Sequence, residues 1–338
     1  MALQDTVYGD GFDGFPDNVC DDGLPSQPDD ALDYAKALGL CAETTADSHD
    51  WGVISATFTR ADGSGTPAAV TRSVRPEFGV NAALSGTALV VFATGPAAAP
   101  GQMDPAHVAF QPGASTGVQG TPPADWLAAH GGALPSPPEC PASAGAAAVD
   151  PVMLTLDVRV PGNARSFDFA MNYLSSEFPE WVCSPFSDFF VALLDSSYAG
   201  TPANPVDKNI ATLLAPSSSY PMSANFVHGG THLFTQCVSG ATGCAAGAVA
   251  GDATCDGTLG ITGTGMDLAD PGTCTSNGMV GGGTGWMRVR ANVVPGETIR
   301  LRLAIWDTGD SGFDSFVLLD DFRWSATTVV PGGVPASP

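Results

Sequence analysis

The stretch TIRLRLAIWDTGDSGFDSF, residues 298–316, decides the fold because it joins a regular strand pattern to an acidic loop. Along residues 299–305, apolar side chains alternate with polar ones, which is the period-two pattern of a β-strand with one buried face. Three aspartates follow before the next apolar run: Asp307, Asp310 and Asp314. We therefore expect a β-sheet protein in which this strand, residues 298–306, is central in its sheet and runs into an acidic loop.

Working outward from this strand, seven more runs have strand character and are separated by clusters of Gly, Pro, Ser and Asn. They are residues 53–59, 88–94, 153–160, 166–173, 188–194, 286–293 and 315–322. Helical spacing is confined to residues 31–38, with Asp29 or Asp30 as the cap and Gly39 at the end, and residues 123–130. The sequence predicts an all-β fold, an antiparallel two-sheet sandwich of jelly-roll type with one or two short helices and long disulfide-bonded loops.

The run at residues 287–293 alternates like residues 299–305, and the turn-forming residues 294–297 join the two. We therefore expect a hairpin. In that register four arginines would share one outward face: Arg288, Arg290, Arg300 and Arg302. Outward-facing Asp157 and Asp168 on other strands favour simple pairing with these arginines, and the alternative is a groove that binds a carboxylate ligand.

Composition and charge narrow the function classes. The chain has 338 residues, with 12 basic and 35 acidic ones and a formal net charge of −23, so we exclude nucleic acid and anionic membrane surfaces as partners. No apolar stretch is long enough for a membrane-spanning helix, which excludes direct membrane insertion. No signal peptide precedes Asp5, so we expect a mature or trimmed form.

Eight cysteines without a C-x-x-C pair favour disulfides formed in an oxidising compartment over zinc. Sequence alone leaves every connectivity open, and proximity along the chain favours four pairs. These are Cys20 with Cys41, Cys140 with Cys183, Cys237 with Cys244, and Cys255 with Cys274.

The chain divides into three parts by composition. Residues 1–28 form an acidic leader, residues 29–325 form a single domain, and residues 326–338 form a Gly/Pro-rich tail. Within the domain, residues 235–285 are a cysteine-rich insertion of low strand character that disulfides would have to hold.

The aspartate loop favours a calcium site, because its glycines allow oxygens to be aimed at one point and calcium prefers hard oxygen ligands. Asx-turns that support the loop would explain one or two of the same aspartates without a metal. Glu177 and Asp188 lie among aromatic residues, where a charge needs a partner, so we predict that both complete the cation site with Asp307, Asp310 and Asp314.

Three segments, residues 173–181, 186–190 and 303–315, resemble the choice-of-anchor L domain family of bacterial exported proteins. Residues 89–95 resemble an earlier segment of that domain, and the cysteine-rich insertion is similar to versions in myxobacterial-type members. The resemblance covers roughly residues 31–324. It implies an extracellular β-rich module of the cell surface and supplies no reaction. The end of the chain, residues 329–335, shows no sorting signal of the kind found in relatives, so attachment would come from a removed N-terminus, a partner or self-assembly.

Catalytic patterns are weak. Residues 113–117 match a nucleophile elbow, but the prolines that follow cannot supply its helix, and residues 9–14 match a dinucleotide fingerprint only as a string. His228 and His232 flank two glycines, which favours surface-loop histidines over a zinc-binding helix. Glu177 and Glu180 leave a glycosidase pair open, although burial against core aromatics explains the same composition.

We therefore expect a non-enzymatic structural or adhesive protein, extracellular or on the bacterial cell surface, stabilised by calcium and able to assemble with itself into a fibre or matrix. The alternative is a lectin-like module that binds a cell-surface glycan, with Trp181, Trp286 or Trp306 as the sugar platform. A secreted glycan hydrolase is the third interpretation.

Overall fold

A computed structural model describes residues 19–102, 114–215, 218–268, 274 and 281–336. The predicted leader up to residue 18, which includes the string at residues 9–14, lies outside these described residues, as does Gly113 at the start of the nucleophile-elbow match. The helices are α1 (Ala31–Ala37) and α2 (Ala124–Ala129), and single 3₁₀ turns occupy Ala69–Thr71, Ala224–Val227 and Leu259–Ile261. The strands are β1 (Gly52–Thr59), β2 (Arg72–Arg75), β3 (Glu77–Phe78), β4 (Asn81–Ala82), β5 (Leu89–Ala93), β6 (Gln119–Gly120), β7 (Ala148–Arg159), β8 (Ser166–Ser175), β9 (Phe189–Asp195), β10 (Thr212–Ala215), β11 (Ser218–Pro221), β12 (Gly240–Thr242), β13 (Gly251–Ala253), β14 (Gly282–Gly283), β15 (Met287–Asn292), β16 (Thr298–Asp307), β17 (Ser315–Ser325) and β18 (Gly332–Pro335).

Two sheets pack against each other and confirm the predicted sandwich. The five-stranded sheet has the order β1-β7-β16-β9, with β6 beside β7, and the nine-stranded sheet has the order β11-β10-β18-β15-β8-β17-β5-β2, with β14 beside β8. Strand pairing is antiparallel except between β10 and β18. The inward faces of both sheets meet in one hydrophobic core, where Leu301 of β16 and Phe169 of β8 are fully buried. Strand β16 pairs on both sides and is central, as predicted.

The predicted hairpin between β15 and β16 is wrong. Strand β15 pairs with β8 and β18, and β16 pairs with β7 and β9, so residues 293–297 cross from one sheet to the other. The crossing is held at both ends, because Val293 N donates to Arg165 O and Val160 N donates to Glu297 O. Both strands bury one apolar face toward the same core. The sequence therefore alternates in the same way whether two strands pair within one sheet or lie in the two facing sheets.

As a consequence, the four arginines do not share one face. Arg288 pairs with Asp168 and Asp321 on the nine-stranded sheet, whereas Arg300 Nε lies 2.8 Å from Asp157 Oδ1 on the five-stranded sheet. This pairing confirms the simpler of the two interpretations and argues against a shared carboxylate groove. Arg302 likewise binds Asp125, and Arg290 forms no ion pair with a described residue.

Both predicted helices are present. Asp30 caps α1 by accepting a hydrogen bond from Leu32 N at 2.9 Å, and Gly39 ends it with a φ of +103°. The helix buries Tyr34 against Phe58, with ring centroids 4.7 Å apart. Within the described residues, no helix is long and apolar enough to cross a membrane.

The disulfide prediction is half correct. Cys20–Cys41 and Cys140–Cys183 form as expected, whereas the insertion contains Cys237–Cys255 and Cys244–Cys274 instead of the predicted neighbours. The cause is a small hairpin in which β12 pairs with β13. It brings the residues flanking its open end, Cys237 and Cys255, opposite each other, and Cys244 then pairs further along the chain.

The tail and the leader are both tied to the domain where they are described. Strand β18 lies within the chain's own nine-stranded sheet, between β10 and β15. Asn292 fixes the approach by exchanging two hydrogen bonds with the backbone of Val329. Asp21 of the acidic leader is buried and accepts from Thr87 N and Ala88 N.

Candidate metal centre

Three carboxylates meet at one end of the sandwich. Asp307 is the last residue of β16 and Asp188 immediately precedes β9, and these strands are neighbours because Trp306 pairs with Phe189. Glu177 lies in the turns after β8, and its Oε2 accepts a hydrogen bond from Asp188 N at 3.2 Å. The carboxyls of Asp188 and Asp307 are close enough to share a hydrogen bond when one is protonated. We call Glu177, Asp188 and Asp307 the acidic cluster.

The acidic cluster is buried and lacks a counter-charge. Its side chains are 3 %, 0 % and 2 % exposed in chain order, and none forms an ion pair with a basic side chain of the described residues. Asp188 Oδ1 and Asp307 Oδ1 are buried without a hydrogen-bond partner there. Because unpaired buried charges cost several kcal/mol each, about 3 to 5 when a pair is broken, the cluster needs protons or a cation.

The pKa values show the same need. Burial raises the pKa of Asp188 to about 8 and of Asp307 to about 12, and repulsion between neighbouring carboxylates adds to the second shift. Burial and the charge of Asp188 raise the pKa of Glu177 well above its usual range. The hydrogen bond between Asp188 and Asp307 favours the proton on Asp307. Without a cation, the cluster therefore holds protons at neutral pH.

Hydroxyl groups of the nine-stranded sheet frame the acidic cluster. Thr94 Oγ1 donates to Asp188 Oδ2 at 3.2 Å and accepts from Ser315 N at 2.9 Å. Tyr173 OH donates to the Asp188 carbonyl at 3.2 Å. These residues were missed from the sequence, because isolated hydroxyl side chains at strand ends carry no pattern of their own. They connect the cluster to both sheets.

The other two predicted ligands are held by contacts outside the cluster, although the charges of both raise the pKa of Asp188. Asp310 is exposed and its Oδ1 accepts from Gly312 N at 3.0 Å, which is the Asx-turn alternative, although its charge still raises the pKa of Glu177 and Asp307. Asp314 is buried, and its carbonyl accepts from Ser176 N and Oγ at 3.2 and 2.9 Å. Its carboxylate, however, lies against Gly95.

A further buried carboxylate, Asp150, was missed from the sequence. It lies within β7 at a φ of +49°, which an aspartate adopts far more easily than a β-branched strand residue. Thr116 donates to it from both its N, at 3.1 Å, and its hydroxyl. The only available signal was an aspartate before Pro151, inside a run that otherwise favours a strand.

The geometry limits what the other candidates can do. Among the described residues, three ligand atoms approach within 4.8 Å of one another in two places, Cys140 with Cys183 and His228, and Glu180 with Cys244 and Cys274. All four cysteines are in disulfides, so neither place can bind a metal through thiolates. The oxygens of the acidic cluster do not reach this closeness as a set, and they would have to converge to bind one ion.

The predicted surface histidines and the tryptophans of the predicted sugar site differ in how far they are buried. His228 is buried rather than on the surface, with its Nε2 3.5 Å from Glu139, whereas His232 is exposed. Trp306 is fully buried and stacked on Phe189, so it cannot serve as a sugar platform. Trp181 is half-buried and packs on Phe186, with centroids 5.5 Å apart.

Evidence for a hydrolase is weak in the described residues. Glu177 and Glu180 are both buried, so the carboxylate pair that a glycosidase presents to its substrate is not offered to solvent here. The nucleophile-elbow match has no helix after Ser115, as predicted. Two surface pockets, of about 460 and 580 Å³, lie on either side of Pro205 and away from the acidic cluster.

Comparison with known families places these features in one matched segment. A family model described as the choice-of-anchor L domain matches residues 139–322, more than half of the chain. The matched segment contains all three residues of the acidic cluster as well as Asp150 and Asp314. No curated protein and no solved structure matches the chain significantly.

Proposed function

Because the chain belongs to the choice-of-anchor L domain family, we propose that it is a structural or adhesive module outside the bacterial cell, with a sandwich stabilised by calcium. The family indicates a non-enzymatic, exported or surface-associated protein. Four disulfides support an oxidising location such as the cell exterior. The proposal that calcium stabilises the sandwich rests on the acidic cluster.

The single observation that supports calcium is the burial of three carboxylates that have no basic partner among the described residues, two of which, Asp188 and Asp307, have an unpartnered oxygen. Calcium prefers six to eight hard oxygen ligands in flexible geometry, and a set of carboxylates with nearby hydroxyls and carbonyls matches that preference. The three residues come from the β8–β9 connection, the start of β9 and the end of β16. A bound cation would therefore tie together segments that are distant in sequence.

The test is thermal unfolding of the purified chain with calcium and with chelator, combined with elemental analysis. We expect a higher midpoint with calcium, because a ligand that binds only the folded state stabilises it by mass action. The variant Asp157→Asn serves as a control, because Asp157 is a β7 carboxylate that pairs with Arg300 on the outer face and lies outside the acidic cluster. Its midpoint should respond to calcium as that of the wild type does. An unchanged midpoint together with no bound calcium would reject the proposal.

For the partner, we propose a second copy of the chain. Strand β11 ends the nine-stranded sheet and pairs on one side only, with β10, among the strands described. The opposite edge is different, because Val74 N of β2 donates to the carbonyl of Ser26. An uncovered edge strand is a template for pairing with another chain.

Light scattering over a wide concentration range, with electron microscopy of the same samples, tests this assembly. We expect the wild-type chain to form oligomers or fibres. The variant Ser219→Lys, on β11, should form fewer of them, because a charge on an edge strand opposes pairing. A strictly monomeric chain over the whole range contradicts assembly. Binding to a glycan array by that monomer would instead favour the lectin-like module.

A further inference from the structure

We propose that the same end of the sandwich holds a second cation, between Asp150 and Asp314. This inference rests on the proposed function, because it extends the calcium site from one ion to two. It concerns carboxylates outside the acidic cluster, one of which, Asp150, no sequence pattern indicated.

The two carboxylates of the proposed second site are both buried, and they lie close together. Asp150 and Asp314 are each 1 % exposed, and neither forms an ion pair with a basic side chain among the described residues. The segment at residues 114–116 brings them near each other, because the backbone of Ala114 donates to Asp314 while Thr116 donates to Asp150. Two carboxylates at such a buried position require either a proton or a cation.

One oxygen is left over for an ion. Asp314 accepts a hydrogen bond from the backbone of Ala114, and its Oδ2 is buried without a hydrogen-bond partner in the described residues. The carboxylate presses against Gly95, where a Cβ would overlap Oδ2. The glycine thus leaves room for this oxygen. The hydroxyl of Thr116 beside Asp150 adds a neutral oxygen of the kind that calcium accepts.

Charge balance favours two ions over one. The acidic cluster and this pair together place five carboxylates in one buried end, and one divalent cation would neutralise only two of them. The charge of Asp314 raises the pKa of Asp188, so the pair lies next to the cluster, but its contacts differ from those of the cluster. The two are adjacent, because Val149 precedes Asp150 and pairs with Asp307 across β7 and β16. The Asp314 carboxylate, however, lies against Gly95, whereas Asp188 is held by the Thr94 hydroxyl.

The experiment is the calcium stoichiometry of the full chain. The chain is stripped with chelator, equilibrated with low free calcium in salt to suppress weak surface binding, and assayed by elemental analysis. We expect two ions per wild-type chain and one in Asp150→Asn, which keeps an oxygen for Thr116 but loses the charge. Asp157→Asn, on the same strand but paired with Arg300, is the control and should keep two.

A second variant covers the case in which Asp150→Asn does not fold. Gly95→Ala introduces the Cβ that overlaps Asp314 Oδ2, so it should also halve the stoichiometry. One ion in the wild type, or two ions in a folded Asp150→Asn chain, would overturn the second site while leaving the first intact. No bound calcium in any variant would instead reject the proposed function together with this extension.

Discussion

At the level of single residues, Asp307 shows how a strand end can become a ligand. Its backbone still pairs with Val149 of β7, while its carboxylate faces Asp188 at the edge of the core. A side chain in this position gains nothing from burial unless something replaces water around its charge. The residue therefore links the stability of the sandwich to the state of the acidic cluster.

Asp307→Asn should have opposite effects with and without calcium. In chelator the amide replaces a carboxyl that is already protonated in the folded chain, and it removes the cost of taking up that proton on folding, so the free energy of unfolding should stay equal or rise. In calcium the variant loses a ligand, and the stabilisation of about 3 kcal/mol expected for a ligand well above its dissociation constant should largely disappear. Urea denaturation in both conditions measures this difference. An equal loss in both conditions would mean that Asp307 acts only through packing.

The pH dependence of the calcium-free chain follows from the same carboxyls. The folded-state pKa of Asp314 is raised to about 7 and that of Asp188 to about 8, both above the values of the unfolded chain. Groups with raised folded pKa values stabilise the protein fully at low pH and lose that contribution as pH rises through the folded values. In chelator, the temperature of the unfolding midpoint should therefore decrease as pH is raised from about 5 to about 8.

Calcium provides the control for this pH effect. A bound cation replaces the protons of the acidic cluster, so the fall in midpoint should become shallower when calcium is present. Burial also raises the pKa of Asp320 to about 7, and Asp320 lies apart from the cluster, bonded to Leu84 N and Ser85 N. Its contribution should persist in calcium. Identical pH profiles with and without calcium would contradict the assignment of the cluster as the cation site.

At the level of elements, an ion-pair network fixes α2 on the five-stranded sheet. Asp125 of α2 receives two hydrogen bonds from Arg302 of β16, at 3.0 and 2.6 Å, and one from Lys208 at 3.0 Å. The hydrogen bonds from Arg302, together with those from Lys208, lower the pKa of Asp125 well below its usual range. The network positions Trp126 to pack on Trp306, beside the acidic cluster.

Asp125→Asn should therefore destabilise the chain by about 1 kcal/mol, a small value because the pair is partly exposed and screened by solvent. The loss should shrink at high salt and, progressively, as pH falls below about 4, because the unfolded chain's carboxylate is then protonated while the folded one, whose pKa is lowered, stays ionised. A double-mutant cycle with Arg302→Gln, followed by urea denaturation, isolates the pair. A salt-independent loss would point to helix packing instead of charge.

Elements also mark the limit of what the sequence predicts. All eight predicted strands are present: some, such as β16, were located by alternation, and others, such as β5 and β9, as apolar runs that are buried almost throughout. Alternation could not tell that β15 and β16 lie in opposite sheets, because the same faces are buried in either arrangement. Short strands such as β18, made of Gly, Val and Pro, have no such alternation and were missed.

The candidate site followed a similar division. The aspartate loop was visible because three carboxylates lie within eight residues, and Asp188 was visible because it precedes an apolar strand. Asp150 and Thr94 could not be found this way, since their place depends on which strands become neighbours. The contacts of the side chains were equally hidden, as Asp310 accepts a hydrogen bond from Gly312 N and Asp314 lies against Gly95.

At the scale of the whole molecule, the tail closes the nine-stranded sheet. Strand β18 pairs with four residues of β15 and touches β10 at a single pair, Leu213 with Gly333. Its glycines fit because of their size: a Cβ at Gly333 would lie 2.6 Å from the Thr212 carbonyl and 2.8 Å from Met287 Cε. Without this segment, β15 would have an open edge on the side facing β10.

Removal of residues 326–338 should therefore lower the unfolding midpoint and cause association through the exposed edge of β15, since unpaired edges pair with other chains. A peptide of residues 326–338 added to the truncated chain should restore the midpoint, because the strand's contacts are mainly backbone hydrogen bonds and do not require a covalent link. Gly333→Val tests the same contact in the full chain and should mimic the truncation, whereas Val330→Ala, at an exposed position, should not. Calorimetry measures how far the tail stabilises the fold, and light scattering measures how far it protects the edge of β15. A truncated chain that stays monomeric and equally stable would mean that β18 contributes to neither. Among the described strands of the nine-stranded sheet, β11 would then be the edge proposed for assembly.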